Sequence, residues 1–208
     1  MDFIRDKLVP KHIEGKQTDL SHTKRFETME EAKDCFWRAC KRLQNPSIWH
    51  DLCGTLSPSF QLIGKDGDQA NRLVMKGDYF RIQLPAFGNS IGDGFDWVVV
   101  EAIESNCNRE SDEEAFGIRI RASQNPNSPS NDTAHFFQDK ATSTYIIHRK
   151  LNEVTAYYSG RNEITNNDTG KLMDNVRNSL IATGGFVGLS ELQWNALLHA
   201  LLEPEIGG

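Results

Sequence analysis

This chain predicts an α+β fold built on an antiparallel sheet, on three observations. A helix with a complete capping signal opens at Thr28. Segments rich in Val, Ile, Phe, Tyr and Thr then follow one another between residues 59 and 160, divided by turn residues with no helical pattern between them. Helical periodicity returns near the C-terminus. Strands joined by short links pair antiparallel, because parallel neighbours need a long crossover. The expected architecture is a curved antiparallel sheet of about six strands with two short N-terminal helices and two C-terminal helices. A small SH3-like or OB-like barrel with flanking helices accommodates the same elements.

In chain order, residues 1–26 are polar and weakly periodic, and read as an N-terminal arm or a first strand near 20–26. Residues 27–203 read as one α+β domain and 204–208 as a tail. Thr28 is a suitable N-cap, with Glu31 three positions on, and Ala32, Cys35, Phe36, Ala39, Cys40 and Leu43 fall on one helical face. Asn45-Pro46 ends this helix. Pro46 suits the first turn of a second short helix through Trp49 and Leu52, closed at Gly54. The strand segments are 59–63, 78–84, 96–104, 116–122, 142–150 and 153–160. Alternation sets Ile118 and Ile120 against Arg119 and Arg121, and sets Tyr145, Ile147 and Arg149 against Thr144, Ile146 and His148. Leu151-Asn152 reads as a tight hairpin link. Leu172, Val176 and Leu180 predict one C-terminal helix, stopped at Gly184-Gly185. Ser190 with Gln193 predicts the capped start of a second, whose apolar stripe is Trp194, Leu197, Leu198, Leu201 and Leu202.

Composition narrows the function classes. With 208 residues, 38% hydrophobic and 25% charged, the chain is able to bury a core. No stretch approaches the roughly 20 apolar residues of a membrane span. The net charge of -6 argues against non-specific nucleic-acid binding, which needs a basic surface. Charges interrupt the N-terminus from Asp2 onward, so no secretory signal is read there, and the expected compartment is the cytoplasm. Cys35 and Cys40 point in different directions along a helix, and Cys53 and Cys107 fall in separate loops, so four reduced thiols are expected. No CxxC pair or zinc-like histidine spacing is present, and no cofactor or metal motif is found.

The order of elements resembles the START-like, or helix-grip, superfamily. Residues 30–52, a helix followed by Asn45-Pro46-Ser47-Ile48-Trp49, look like that family's opening helix pair. The resemblance is topological and spans about residues 20–203. It implies a curved sheet around a C-terminal helix and an apolar cavity between them, and so a small apolar or amphipathic ligand. Gly184-Gly185 and Ser190 depart from the family's single long last helix.

Several residue groups are candidate sites. Arg81, Gln83, Arg119, Arg121 and His148 bind an anionic head group if they face a cavity, and are ordinary solvated positions if they face outward. Glu101 and Glu104 are placed to neutralise the arginines. The loop 85–97 is either a lid, with Gly88, Gly92 and Gly94 allowing close approach and Asp93 and Asp96 touching a cation, or a long hairpin. It lacks the phosphate-binding GxxxxGK[ST] pattern. Residues 134–144 bring His135, Asp139, Lys140 and Ser143 close in sequence, without a GxSxG elbow. Arg161 and Glu163 are either site residues at the mouth of the fold or parts of a turn. Trp37, Trp49, Trp97 and Trp194 suit ligand stacking, although helical and strand context favours core packing. Three functions remain open: a cavity that binds a ligand, a small hydrolase or isomerase using His135 or His148 with a carboxylate, and an interaction module with an exposed apolar patch. An oligomer is compatible with each.

Overall fold

In a computed structural model, residues 2–54, 57–83, 95–127, 140–164 and 186–204 are described. The elements in order are α1 (Asp2–Leu8), β1 (Lys16–Arg25), α2 (Met29–Leu43), a 3₁₀ turn (Pro46–Ile48), α3 (Trp49–Cys53), β2 (Ser59–Ile63), β3 (Tyr79–Gln83), β4 (Asp96–Asn106), β5 (Glu113–Ala122), β6 (Thr142–Lys150), β7 (Glu153–Glu163) and α4 (Phe186–Leu202). Seven strands form one antiparallel sheet in the order β1-β7-β6-β5-β4-β3-β2. β1 and β2 are its edges and do not pair with each other, so the barrel alternative does not hold.

Local chemistry accounts for α2. Thr28 Oγ1 accepts from Glu31 N at 3.2 Å, and Thr28 N donates to Glu31 Oε2 at 3.1 Å, so the box satisfies two otherwise free amides. All six residues of the anticipated apolar face are buried. Pro46 opens the 3₁₀ turn, and Trp49 is buried with its indole N–H on Arg42 O at 2.9 Å.

The two faces of the sheet are covered differently. The inner face carries the main core, with α2, α3 and α4 packed on Phe60, Phe80, Val100, Ile118, Ile147 and Tyr158, among others. Arg42 ties α2 to α4, donating to Ala200 O at 3.0 Å and Leu201 O at 3.3 Å, where a cation meets the negative end of the helix. The outer face carries α1, whose Ile4 and Leu8 lie one turn apart and pack on Ala115 and Ile146. Gly117 lets α1 lie this close, since a Cβ there would come within 2.5 Å of Leu8 Cδ1.

Three expectations change. Residues 1–26 hold a helix as well as a strand: α1 owes its place to the packing of Ile4 and Leu8, which outweighs a weak local signal. The first strand starts earlier than position 20, and its polar alternation is that of an edge. Ser190 is not an N-cap: α4 already begins at Phe186, and a capping residue must itself be non-helical. The expected helix around Leu172–Val176–Leu180, and Gly88, Gly92, Asp93, Gly94 and His135, lie outside the described residues.

Candidate functional site

The inner face ends in a group of buried and half-buried polar side chains under α4, and a bulge in β7 places its carboxylate. Lys16 pairs with Glu163 and Thr18 with Gly160, so Gln17 faces two residues of β7. Asn162 carries the excess in the left-handed region at φ 56, which Asn tolerates better than most residues. Its Oδ1 is fixed by Ile13 N at 2.8 Å. One extra residue reverses which side chains point inward, so Glu163 joins Tyr158 and Gly160 on the inner face, while Arg161 points outward. Gly160 leaves the room that Glu163 needs, because a Cβ there would fall 2.5 Å from Glu163 Oε1.

The resulting network is continuous. Tyr158 OH donates to Glu163 Oε1 at 3.0 Å and lies 3.2 Å from Ser143 Oγ, and Thr18 Oγ1 donates to Glu163 Oε2 at 3.3 Å. Burial raises the Glu163 carboxyl above its ordinary value, against the lowering effect of Tyr158, Lys16 and Thr18. Beside it, the hydroxyl of Tyr145 is buried and has no hydrogen-bond partner among the described residues. Burial pushes both phenols well above their usual range. Rings close the group: Trp194 of α4 stacks on Tyr158 at 5.3 Å and meets Tyr145 edge-on at 5.7 Å, and Trp49 lies 5.6 Å from Tyr145. Asp96 also belongs to the inner face, opposite Ile82 at the start of β4, and burial pushes its carboxyl up to about 7.

The anticipated anion-binding set is divided by the sheet. Arg119 lies on the outer face, where Nε donates to Glu101 Oε2 at 2.6 Å and Nη1 to Leu8 O at 2.8 Å, so it holds the end of α1. Arg121 is paired with Glu101 as well. His148 is also on the outer side, 2.7 Å from Glu113 Oε1; burial lowers its basicity and Glu113 opposes that. Arg81 and Gln83 sit elsewhere, at the β2–β3 edge, in a cleft of about 260 Å³. Arg161 is buried against Asp19, with Nη2 at 2.8 Å from Oδ1. Trp49 and Trp97 are buried, and Trp37 and Trp194 pack partly buried against the core. Tyr145, Tyr158 and Ser143 were not marked by spacing as one site. The available signal was the Gly160–Asn162 pair at the end of a strand, where a bulge is common.

Among the described residues, no three His, Cys, Asp or Glu side chains are grouped to hold a metal ion, and no helix is long and apolar enough to cross a membrane. No protein-family model matches the chain, and no curated protein does. Solved structures similar to it include norcoclaurine synthase from Thalictrum flavum (TM-score 0.41, 9% identity, covering 91% of this chain and 97% of that one). An uncharacterised protein from Bacillus thuringiensis (TM-score 0.37, 15% identity, 90% and 100% covered) and a protein from Arthrobacter aurescens (TM-score 0.39, 12% identity, 90% and 87% covered) are also similar.

Proposed function

We propose that this chain binds a small apolar or amphipathic molecule between the sheet and α4. Its apolar part lies against the rings of Trp194, Tyr158 and Tyr145, and its polar end meets Ser143, Tyr145, Tyr158 and Glu163. The observation that supports this reading is the Tyr145 hydroxyl, buried without a partner among the described residues, beside an otherwise connected polar network. A hydroxyl in that state costs about 1–3 kcal/mol, and a ligand atom that bonds to it removes the cost. Half-buried Glu163 and Trp194 give the network an approach from solvent. Of the two histidines of the hydrolase alternative, His135 lies outside the described residues, and His148 contacts Glu113 on the face away from this network.

Native mass spectrometry of the purified chain, before and after denaturation, tests for a retained small molecule. Tyr145→Phe separates a ligand contact from a core contact. It is expected to stabilise the ligand-free chain by about 1 kcal/mol, by deleting an unsatisfied group, and to lower ligand occupancy. A destabilised variant that keeps full occupancy would overturn the reading.

A further inference from the structure

A polar cleft lies at the other end of the sheet, on the β2–β3 edge. Arg81 stands opposite Gln61 in the ladder and donates to its side-chain oxygen. Its guanidinium carbon lies 4.4 Å from the centre of the Phe95 ring, a cation–π contact. The cleft of about 260 Å³ in front of it is lined by Ser47, Ser59, Gln61, Gln69 and Phe60 as well. Among the described residues, every lining group except Arg81 is uncharged and no carboxylate pairs with Arg81. The contrast with Arg119, Arg121, Arg149 and Arg161 is direct, since each of those has an acidic partner.

From this arrangement we propose that the cleft binds a small monocarboxylate. The guanidinium presents five N–H donors in a planar fork that matches a carboxylate, and only one is shown engaged, by Gln61. A single cation with neutral neighbours suits one negative charge; a phosphate dianion would call for more. Phe95 supplies apolar contact for a short flat body, and the amides and hydroxyls serve a polar substituent on it. The volume falls just below the usual range for drug-sized ligands, about 300–1,000 Å³, so the occupant is smaller than those. This site is independent of the ligand under α4: Gln61 and Arg81 point to the face opposite Phe60 and Phe80 in the strand alternation.

Benzoate is the probe, with benzamide as its uncharged match and inorganic phosphate as the competing anion. With about nine heavy atoms at a modest 0.3 kcal/mol each, benzoate is expected to bind with a Kd on the order of 10 mM. Titration is followed by the side-chain amide signals of Gln61, Gln69 and Gln83 in nitrogen-15 NMR spectra. The expected result is a saturable shift with benzoate, at least about tenfold weaker binding of benzamide and phosphate, and a comparable loss in Arg81→Lys, which keeps the charge but not the fork. Arg81→Met, with unchanged melting temperature, is expected to lose the shift. Equal binding of benzoate and benzamide, tighter binding of phosphate, unchanged affinity in both Arg81 variants, or no shift up to about 50 mM benzoate would each overturn the proposal. None of these outcomes touches the Tyr145 test.

Discussion

Arg149→Met is expected to destabilise the chain by about 3–5 kcal/mol, a fall in melting temperature of roughly 10 °C for a chain of this size. Arg149 and Glu114 are both fully buried on the inner face, with Nε donating to Oε2 at 2.8 Å. The remaining donors of the guanidinium reach Leu151 O at 2.9 Å, Asp112 O at 3.3 Å and Ser111 O, so one side chain holds the turn before β5 and the link between β6 and β7. Removing it strands a carboxylate in the core and frees three carbonyls. Among the described residues Glu114 has no second partner to fall back on, because its Oε1 accepts no hydrogen bond. The pair itself is a weaker source of stability than its loss suggests, since both charges were desolvated to make it. Arg149→Met combined with Glu114→Met is therefore expected to recover most of what the single change loses. Urea unfolding of the parent, the single variants and the double variant measures the coupling. An Arg149→Met chain within about 1 kcal/mol of the parent would show that the pair does not matter to the fold.

The same residue marks what the sequence does and does not disclose. α2 was legible down to its cap, because Thr28, Glu31 and the apolar face are all local signals. The strands were legible as well: 59–63 and 142–150 coincide with β2 and β6, and the link at Leu151-Asn152 joins Lys150 to Glu153 in register. Alternation in β6 separates Tyr145, Ile147 and Arg149 from Thr144, Ile146 and His148, yet it does not say that an arginine belongs with the core. Only Glu114, on the neighbouring strand, makes that burial possible, and which strands are neighbours is a tertiary fact. Arg119 and Arg121 show the converse. They share a face with Glu101 through the pairing of β4 and β5, after a register shift at Val100–Ala102 that no local pattern announces. Glu163 was a candidate from sequence, but its inward direction depends on the bulge at Asn162, one residue that reverses the side facing α4. Ser190 failed for a simpler reason: a capping pair inside a longer helix has the same sequence as one at its start.

Asp96 provides the second large effect, one of pH. Its carboxyl is pushed from the ordinary 3.8 up to about 7 by burial, so the native chain holds this proton more tightly than the unfolded chain does. The sign follows from linkage: the contribution is fully present below about pH 4, and it is lost as the pH rises through 7, because the unfolded state ionises first. Each tenfold in proton affinity is about 1.4 kcal/mol, and partial exposure of the residue trims the total to about 2–3 kcal/mol. Asp96→Asn replaces the protonated form by a neutral group of the same shape. The variant is expected to match the parent near pH 4 and to exceed it by that amount at pH 8. The difference between the two chains in urea unfolding isolates Asp96 from the other carboxylates, which titrate in both. A difference that stays constant across pH, or that grows toward acid, would mean that Asp96 is not held in dry surroundings. Where the carboxyl does behave this way, it is present near neutral pH in both forms, able to donate a hydrogen bond when protonated and to accept one when ionised. It lies on the inner face, the one that carries Tyr158 and Glu163, so the polar end proposed for the ligand under α4 shares that face with a group whose charge follows the surrounding pH.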